Sequence, residues 1–164
     1  MNNSKFKIEE IEIREVREED YEDMAKIFYE SSLLHNKNDK TFKKPGNFKS
    51  YKEDVIASIQ GYQVYTALYE KNVVGVVQFL ERKIAESSEM TTRNPLTVKD
   101  IAIKKDFHKK GIGALLMNKV FEIAKEDKID EVILNVWGFN EKALNFYKKL
   151  GFDIEYYALR REIK

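Results

Sequence analysis

The stretch IAIKKDFHKKGIGA, residues 101–114, carries the strongest structural signal in this sequence. An apolar strand ends at Ile103, and a short basic loop follows it. A helix then begins at Gly111, with a second glycine at Gly113. The first amides of a helix have no partner within the helix, and the helix dipole favours negative charge there. The stretch therefore predicts a phosphate-binding strand–loop–helix unit, or alternatively a plain tight turn with lysines facing solvent.

Two well-known phosphate motifs do not fit this stretch. A dinucleotide-binding fingerprint requires a third glycine where this chain has Leu116, and it belongs to an early strand–helix–strand unit. A P-loop requires Lys and then Ser or Thr after its last glycine, but Gly113 is followed by Ala114 and Leu115. Neither motif explains the two glycines.

A second stretch, NEKALNFYKKLGF at residues 140–152, reads as a helix that ends at Gly151. Asn140 and Tyr147 are seven residues apart, about two helical turns, so both side chains can face one ligand. Each has a structural alternative. Asn140 is a natural helix N-cap, and Tyr147 beside Phe146 can be a core residue.

Together the two stretches resemble the coenzyme A signature of the GNAT superfamily of N-acetyltransferases. The family usually has Gln or Arg where this chain has His108. The resemblance implies one domain over residues 1–164 with the GNAT fold, an α/β fold with a central mixed sheet and helices on both faces. The matching pattern is His108-x-x-Gly111-x-Gly113 followed by Asn140-x-x-Ala143-x-x-Phe146-Tyr147-x-x-x-Gly151-Phe152.

The resemblance also implies a site for acetyl-coenzyme A (acetyl-CoA), with no metal. Backbone groups of Ile101, Ala102 and Ile103 would pair with the pantetheine arm, and the Ile103 amide would face the thioester oxygen. Asn140 would lie near the pantetheine or the thiol end, and Tyr147 would protonate the leaving thiolate. Amides of the loop and first helical turn would hold the pyrophosphate, namely those of His108, Lys109, Lys110, Gly111, Ile112, Gly113 and Ala114.

Transfer to an amine also needs a proton acceptor, because a primary amine with a pKa of about 10 arrives mostly protonated. Asp100 lies on the predicted cofactor strand and is the leading candidate for this base, acting directly or through a water. Glu81 and Glu89 compete with it, and Lys99 occupies another plausible position. A water relay without a unique base is a further alternative.

The other segments predict two early helices, a hairpin and then alternating strands and helices. Alternation at Ile11 and Ile13 suggests a first strand, and Asp20 can cap a helix whose apolar face includes Met24 and Leu34. The remaining expected elements are a loop at 36–47, a helix at 50–60, hairpin strands at 63–70 and 73–80 around a Lys71-Asn72 turn, a polar connection at 86–95, a strand at 96–103, a helix at 111–126, a strand at 131–137 covered on both faces, a helix at 140–150 and an extended end at 152–163.

Composition narrows the class of protein. A net charge of +1 gives no field that favours nucleic acid or an anionic membrane, and the absence of cysteine excludes disulfides and a Cys nucleophile. A metal centre built on His35 and His108 would need carboxylates to complete it. The sequence contains no signal peptide and no apolar run of membrane length, so we expect a cytoplasmic protein.

The resulting expectation is an acyltransferase that moves an acetyl group from acetyl-CoA to a primary amine by direct transfer in a ternary complex. The acceptor would be a small molecule or a peptide, and nine acids within residues 9–23 suit a cationic one. Trp137 either lines the acceptor cleft or belongs to the core, and His35 is expected at an exposed helix end. The alternatives are a non-catalytic acyl-CoA-binding sensor or interaction module of the same fold and an unrelated nucleotide-binding domain. A homodimer is compatible with the family.

Overall fold

A five-stranded mixed sheet organises the chain, in which a computed structural model describes residues 6–89 and 91–163. The strands lie in the order β1-β2-β3-β4-β5, with antiparallel pairing up to β4 and a parallel β4–β5 pair. This arrangement confirms the predicted mixed α/β sheet. The elements are β1 (Glu12–Glu15), α1 (Tyr21–Asn38), α2 (Phe48–Ser58), β2 (Gln63–Tyr69), β3 (Asn72–Glu81), β4 (Leu96–Ile103), α3 (Ile112–Glu126), β5 (Val132–Leu134) and α4 (Glu141–Lys149).

Two separate apolar cores cover the two faces of the sheet. On one face α1 and α2 pack on alternate side chains of β2, β3 and β4, such as Val76 and Ala102. On the other face α3 and α4 pack on residues such as Val77 and Phe79. Helices therefore lie on both faces, as predicted. No helix in residues 6–89 or 91–163 is long and apolar enough to cross a membrane.

Helix α3 is amphipathic and supplies much of its core. Its buried side chains recur at three- and four-residue spacing and form one stripe, which faces the sheet. Leu116 at the centre is completely buried, so Leu116→Ala would cost about 2–5 kcal/mol of unfolding free energy. This packing fixes the start of α3 relative to the end of β4.

The hairpin turn differs from the prediction by one residue. Glu70 and Lys71 are the two central residues, with φ of 49° and 65°, and Asn72 already belongs to β3. Positive φ at both positions matches a turn whose twist follows that of the strands. The Asn72 side chain donates to the Glu70 carbonyl at 2.8 Å, which stabilises this arrangement.

Helix α1 also differs from the prediction at both ends. Asp20 does not cap it, because its carboxylate accepts bonds from the Arg14 guanidinium at 2.7 Å and from the Arg17 amide at 2.8 Å. The helix continues to Asn38, so the expected loop at 36–47 begins later. Leu34, expected on the buried face, is 55% exposed.

Helix α2 begins two residues before the predicted position. The Asn47 side chain accepts a hydrogen bond from the Ser50 amide at 3.0 Å and so caps the helix at its first turn. The helix ends at Ser58, and Gly61 with φ of 82° follows it. The prediction placed the stop signal correctly and missed the cap.

The strand predicted at 131–137 is shorter and less covered than expected. Only Val132–Leu134 pairs with β4, and its side chains are half-buried. The extended end at 152–163 forms no strand in the described chain, and Leu159 within it is 94% exposed. Beyond Leu134 the chain separates from β4, so neither segment can join the sheet there.

Candidate active site

The separation of β5 from β4 leaves an open edge on the second half of β4. Pairing with β5 stops at Val98, whereas pairing with β3 continues to Ile103. The Lys104 amide bonds the Val74 carbonyl at 2.9 Å, and bonded and non-bonded pairs alternate along an antiparallel ladder. The N–H and C=O groups of Ile101 and Ile103 therefore face the open edge, while those of Ala102 face β3.

A histidine bond closes part of this open edge. The His108 Nε2 atom lies 2.7 Å from the Ile103 carbonyl oxygen. Because a carbonyl oxygen only accepts, this ring nitrogen carries the proton and donates it. The imidazole thus connects the loop to the end of β4. The Ile103 amide still points towards the open edge. The resemblance had assigned His108 chiefly a backbone role and left the part played by its imidazole open.

The loop before α3 presents five successive amides. Within the described residues, the amides at 109–113 make no hydrogen bond to the chain, whereas those at the two ends of the predicted phosphate site do. His108 donates to the Lys105 carbonyl at 3.2 Å, and Ala114 donates to the Gly111 carbonyl at 3.0 Å. The row of amides without a partner is therefore shorter than the set from His108 to Ala114 that was predicted to hold the pyrophosphate. Its character fits a phosphate group.

The two glycines of this loop serve different purposes. Gly111 has φ of 86°, a conformation that side chains rarely adopt, and a Cβ there would meet only Ile8 at 3.5 Å. Gly113 lets α3 approach α4, because a Cβ there would lie 3.2 Å from the Phe146 ring. The two sequence stretches that predicted the family are thus in direct contact.

Lys110 in the same loop is held by aromatic rings. Its ammonium lies 4.8 Å from the Phe6 ring centroid and 4.7 Å from that of Phe107. Such cation–π contacts restrain a side chain that is otherwise free in solvent. The positive charge consequently stays close to the row of free amides.

Tyr147 combines a core position with a free hydroxyl. Its ring packs on Phe146 and Phe152 at centroid distances of 5.0 and 5.6 Å, and only 7% of the residue is exposed. Within the described residues its hydroxyl makes no hydrogen bond. Burial, and then the negative charge of Asp100, raise the pKa of Tyr147. The hydroxyl therefore remains protonated and can donate.

Asn140 takes the structural alternative considered for it. It is the N-cap of α4, and its side-chain oxygen accepts the Ala143 amide at 3.1 Å. This bond starts the helix that carries Tyr147. Its immediate function is therefore to position Tyr147 through the helix.

Asp100 lies at an irregularity in β4. The register passes from Gln78↔Asp100 to Phe79↔Val98, so Lys99 is an extra residue that turns the following side chain. Burial raises the pKa of Asp100, opposed by His35, the Ile101 amide and Lys99. Directly across the strand, the buried Gln78 Oε1 has no hydrogen-bond partner in the described chain.

Asp100 is the acid that the fold brings to Tyr147. The two residues belong to different elements, and the charge of Asp100 contributes to the raised pKa of Tyr147 and of Tyr51 on α2. Of the competing acids, Glu81 pairs with Leu96 at the other end of β4, and Glu89 is exposed in the connection before β4. Within residues 6–89 and 91–163, no group of three His, Asp or Glu residues could hold a metal ion.

A cluster of rings beside Asp100 was not predicted as a unit. Phe42 packs edge-on against Trp137 at 4.8 Å, and Phe139 lies 6.4 Å from Trp137 in a nearly parallel orientation. His35 joins them, 5.0 Å from Phe42 and 5.9 Å from Phe139. Trp137 is 51% exposed, so it lines a surface rather than the core. The rings come from two distant segments, and no local sequence pattern connects them.

The chain is similar to curated acetyltransferases. The chain is 29% identical over 117 residues to streptothricin acetyltransferase A of Bacillus subtilis (strain 168), covering 69% of this chain and 62% of that protein. It is 36% identical over 64 residues to thialysine N-epsilon-acetyltransferase of Sus scrofa, covering 39% and 37% of the two chains. The aligned parts thus span less than two thirds of these curated relatives.

The fold is shared with solved structures. A crystal structure of a mutant Bacillus halodurans protein superposes with a TM-score of 0.82, over 93% of this chain and 99% of that one. At 21% identity this likeness concerns the fold alone.

The sheet, the loop and these relatives point to one family. The model of the acetyltransferase (GNAT) family matches residues 13–152. The chain belongs to this family, which uses acetyl-CoA as its cosubstrate and acts on amine acceptors.

Proposed function

We propose that this chain transfers the acetyl group of acetyl-CoA directly to a primary amine, with Tyr147 as the acid and Asp100 as the base. The observation that carries the proposal is the position of these two groups. Tyr147 lies on α4 and Asp100 lies on β4, beside the open edge of β4. They are close enough for the charge of Asp100 to raise the pKa of Tyr147.

Backbone groups would bind most of the cosubstrate. The free amides at 109–113 suit the diphosphate, with the Lys110 charge close by. The outward-facing groups of Ile101 suit the pantetheine amides, which would add to β4 as a strand does, whereas the Ile103 carbonyl already accepts from His108. The Ile103 amide would then donate to the thioester oxygen as negative charge develops on it.

The proton transfers balance as follows. The acceptor ammonium gives one proton to the Asp100 carboxylate, directly or through a water. The neutral nitrogen attacks the thioester carbon, the new C–N bond forms, and the C–S bond breaks. Tyr147 donates its proton to the leaving thiolate, and the second proton of the acceptor nitrogen returns to the enzyme or to solvent. No covalent intermediate on the protein is required.

Burial supports both assignments. A carboxylate with a raised pKa is a stronger base than an exposed one, because its ionised form is poorly solvated. A tyrosine with a raised pKa stays protonated at neutral pH, so its hydroxyl can donate to a thiolate that forms next to it. The proposed cycle requires Asp100 to be ionised when the acceptor ammonium arrives.

The test is an acceptor screen with the purified chain. Free thiol released from acetyl-CoA is measured with each of a set of primary amines, and the acetylated product is identified by mass spectrometry. We expect release that depends on the amine and falls about 100-fold in Tyr147→Phe. Tight binding of coenzyme A without release for any amine would instead favour the non-catalytic sensor.

A further inference from the structure

An exposed aromatic surface, formed by Phe42, Trp137 and Phe139, adjoins the proposed base. Trp137 lies three residues after the end of β5, and β5 pairs with β4 up to Val98, two residues before Asp100. His35 packs on Phe42 and Phe139 and lies close enough to lower the pKa of Asp100. A hydrogen bond from α1 fixes the backbone of Phe42 in this surface. The Asn36 side chain donates to the Phe42 carbonyl at 2.7 Å and holds the turn over the end of α1. Part of an acceptor that enters towards Asp100 would lie on these rings.

The segment that carries Phe42 is basic. Four lysines within residues 37–44 make no ion pair in the described part of the chain: Lys37, Lys40, Lys43 and Lys44. Asp39 is the acid among them, and it already accepts bonds from the Thr41 amide and hydroxyl and lies 3.7 Å from Arg160. The rim of the aromatic surface therefore has unpaired positive charge.

The acidic stretch that suggested a cationic acceptor lies elsewhere. It precedes or begins α1, whereas His35 lies 14 residues after Tyr21 in the last turn of this helix, about 21 Å along it. Several of its acids are also paired, such as Asp20 with Arg14 and Glu22 with Lys52. The acidic stretch is therefore too far away to select the acceptor at the rings.

We propose that the acceptor is an amine with an apolar stem and an anionic end group, a carboxylate or a phosphate. Its amine reaches Asp100 and Tyr147, its stem lies on the aromatic surface, and its anion lies among Lys40, Lys43 and Lys44. The inference rests on the proposed function for the amine end of the acceptor and adds the chemistry of its opposite end. It replaces the expectation of a cationic acceptor.

Three amines with the same six-carbon stem separate the possibilities: 6-aminohexanoate, hexylamine and hexane-1,6-diamine. Trp137 is the only tryptophan in the sequence, so its fluorescence reports binding at the aromatic surface without any reaction. Thiol release from acetyl-CoA reports transfer. We expect 6-aminohexanoate to bind and to react best, about fivefold to tenfold ahead of hexylamine, with the diamine last. Comparison with 6-aminohexyl phosphate then decides between carboxylate and phosphate.

Charge reversal on the rim tests the same point from the protein side. Lys43→Glu combined with Lys44→Glu should invert the order of 6-aminohexanoate and the diamine, while coenzyme A affinity stays unchanged. The matched control combines Lys125→Glu with Lys149→Glu, two exposed lysines in the last turns of α3 and α4. It should keep the original order. Raising the salt concentration should reduce the preference, because exposed charges are screened.

The outcomes distinguish this inference from the proposed function. Tighter binding of the diamine, or equal binding of all three amines, overturns the anionic acceptor even if thiol release continues. Fluorescence changes without thiol release from any amine would keep the binding surface and overturn the transferase. An unchanged order in the Lys43/Lys44 double variant would also overturn the inference.

Discussion

The proposed cosubstrate side and the proposed acceptor side of this molecule are built differently. On the cosubstrate side, the open edge of β4 and the loop at 109–113 offer main-chain groups, and side chains matter mainly where they must be small. On the proposed acceptor side, a ring surface and a basic rim depend on side chains from two distant segments. A site built from main-chain groups tolerates substitution except at its glycines. In a site built from side chains, the choice of ligand depends on each residue. The predictions below test that contrast.

Gly111→Asp should have the largest effect of these variants. A small effect would contradict the contrast between the main-chain site and the side-chain site. A carboxylate would face the diphosphate, and φ of 86° is unfavourable for any side chain. Loss of about 4 kcal/mol of binding, or about a thousandfold in Kd, is expected for acetyl-CoA. Isothermal titration with coenzyme A measures the change.

Gly111→Ala separates charge from backbone strain. A Cβ at this position meets Ile8 only at ordinary contact distance, so the substitution adds the strain alone. We expect about 1–2 kcal/mol of lost stability and a much smaller loss of affinity. Equal losses of affinity for the two variants would mean that the loop conformation, and not the anion, is what Gly111 serves.

Tyr147→Phe should reduce kcat by about 100-fold while Kd for coenzyme A hardly changes. The hydroxyl has no hydrogen bond within the described chain, so its removal leaves the packing on Phe146 and Phe152 intact. Steady-state rates and thermal unfolding of the same preparation provide the measurement. A normal rate in this variant would remove Tyr147 from the chemistry and leave it as a core residue.

Asp100→Asn should lower kcat/KM by about tenfold or more at neutral pH and remove the acidic limb of its pH profile. The base must be ionised, so activity in the parent chain rises as pH passes upward through the raised pKa of Asp100. A profile that keeps the same acidic limb in the variant would assign the proton to another group or to water.

The same substitution should increase stability at neutral pH. Because burial raises the pKa of Asp100 in the folded chain, the folded state binds its proton more tightly than the unfolded state does. The resulting stabilisation is complete below the unfolded pKa and is lost as pH rises through the folded pKa. Thermal unfolding should show a gain for Asp100→Asn at pH 7 that disappears in acid. A lower Tm at pH 7 would mean that the ionised carboxylate makes favourable contacts.

Sequence patterns predicted the strand–loop–helix unit of the proposed cosubstrate side because its requirements are local. Gly111, Gly113 and the strand at Leu96–Ile103 occur in one continuous stretch, and the structure places them as expected. Tertiary contacts decided the rest. Trp137 belongs to the aromatic surface because it packs on Phe42, 95 positions earlier in the chain. The pKa of Asp100 depends on burial, which the spacing of residues in the sequence does not show. The end of α1 and the short β5 were missed for the same reason.

Gly113→Ala should have the smallest effect and sharpens the contrast between the two glycines. Its Cβ would lie 3.2 Å from the Phe146 ring, so α3 and α4 must separate by a few tenths of an ångström. A cost of about 1 kcal/mol in unfolding free energy is expected, with a modest loss of kcat because α4 carries Tyr147. Phe146→Leu in the same chain should relieve the contact, so the double variant should be more stable than the sum of the single effects predicts. Additive losses, measured by urea denaturation, would show that Gly113 is required by the phosphate loop itself and not by the contact between the two helices.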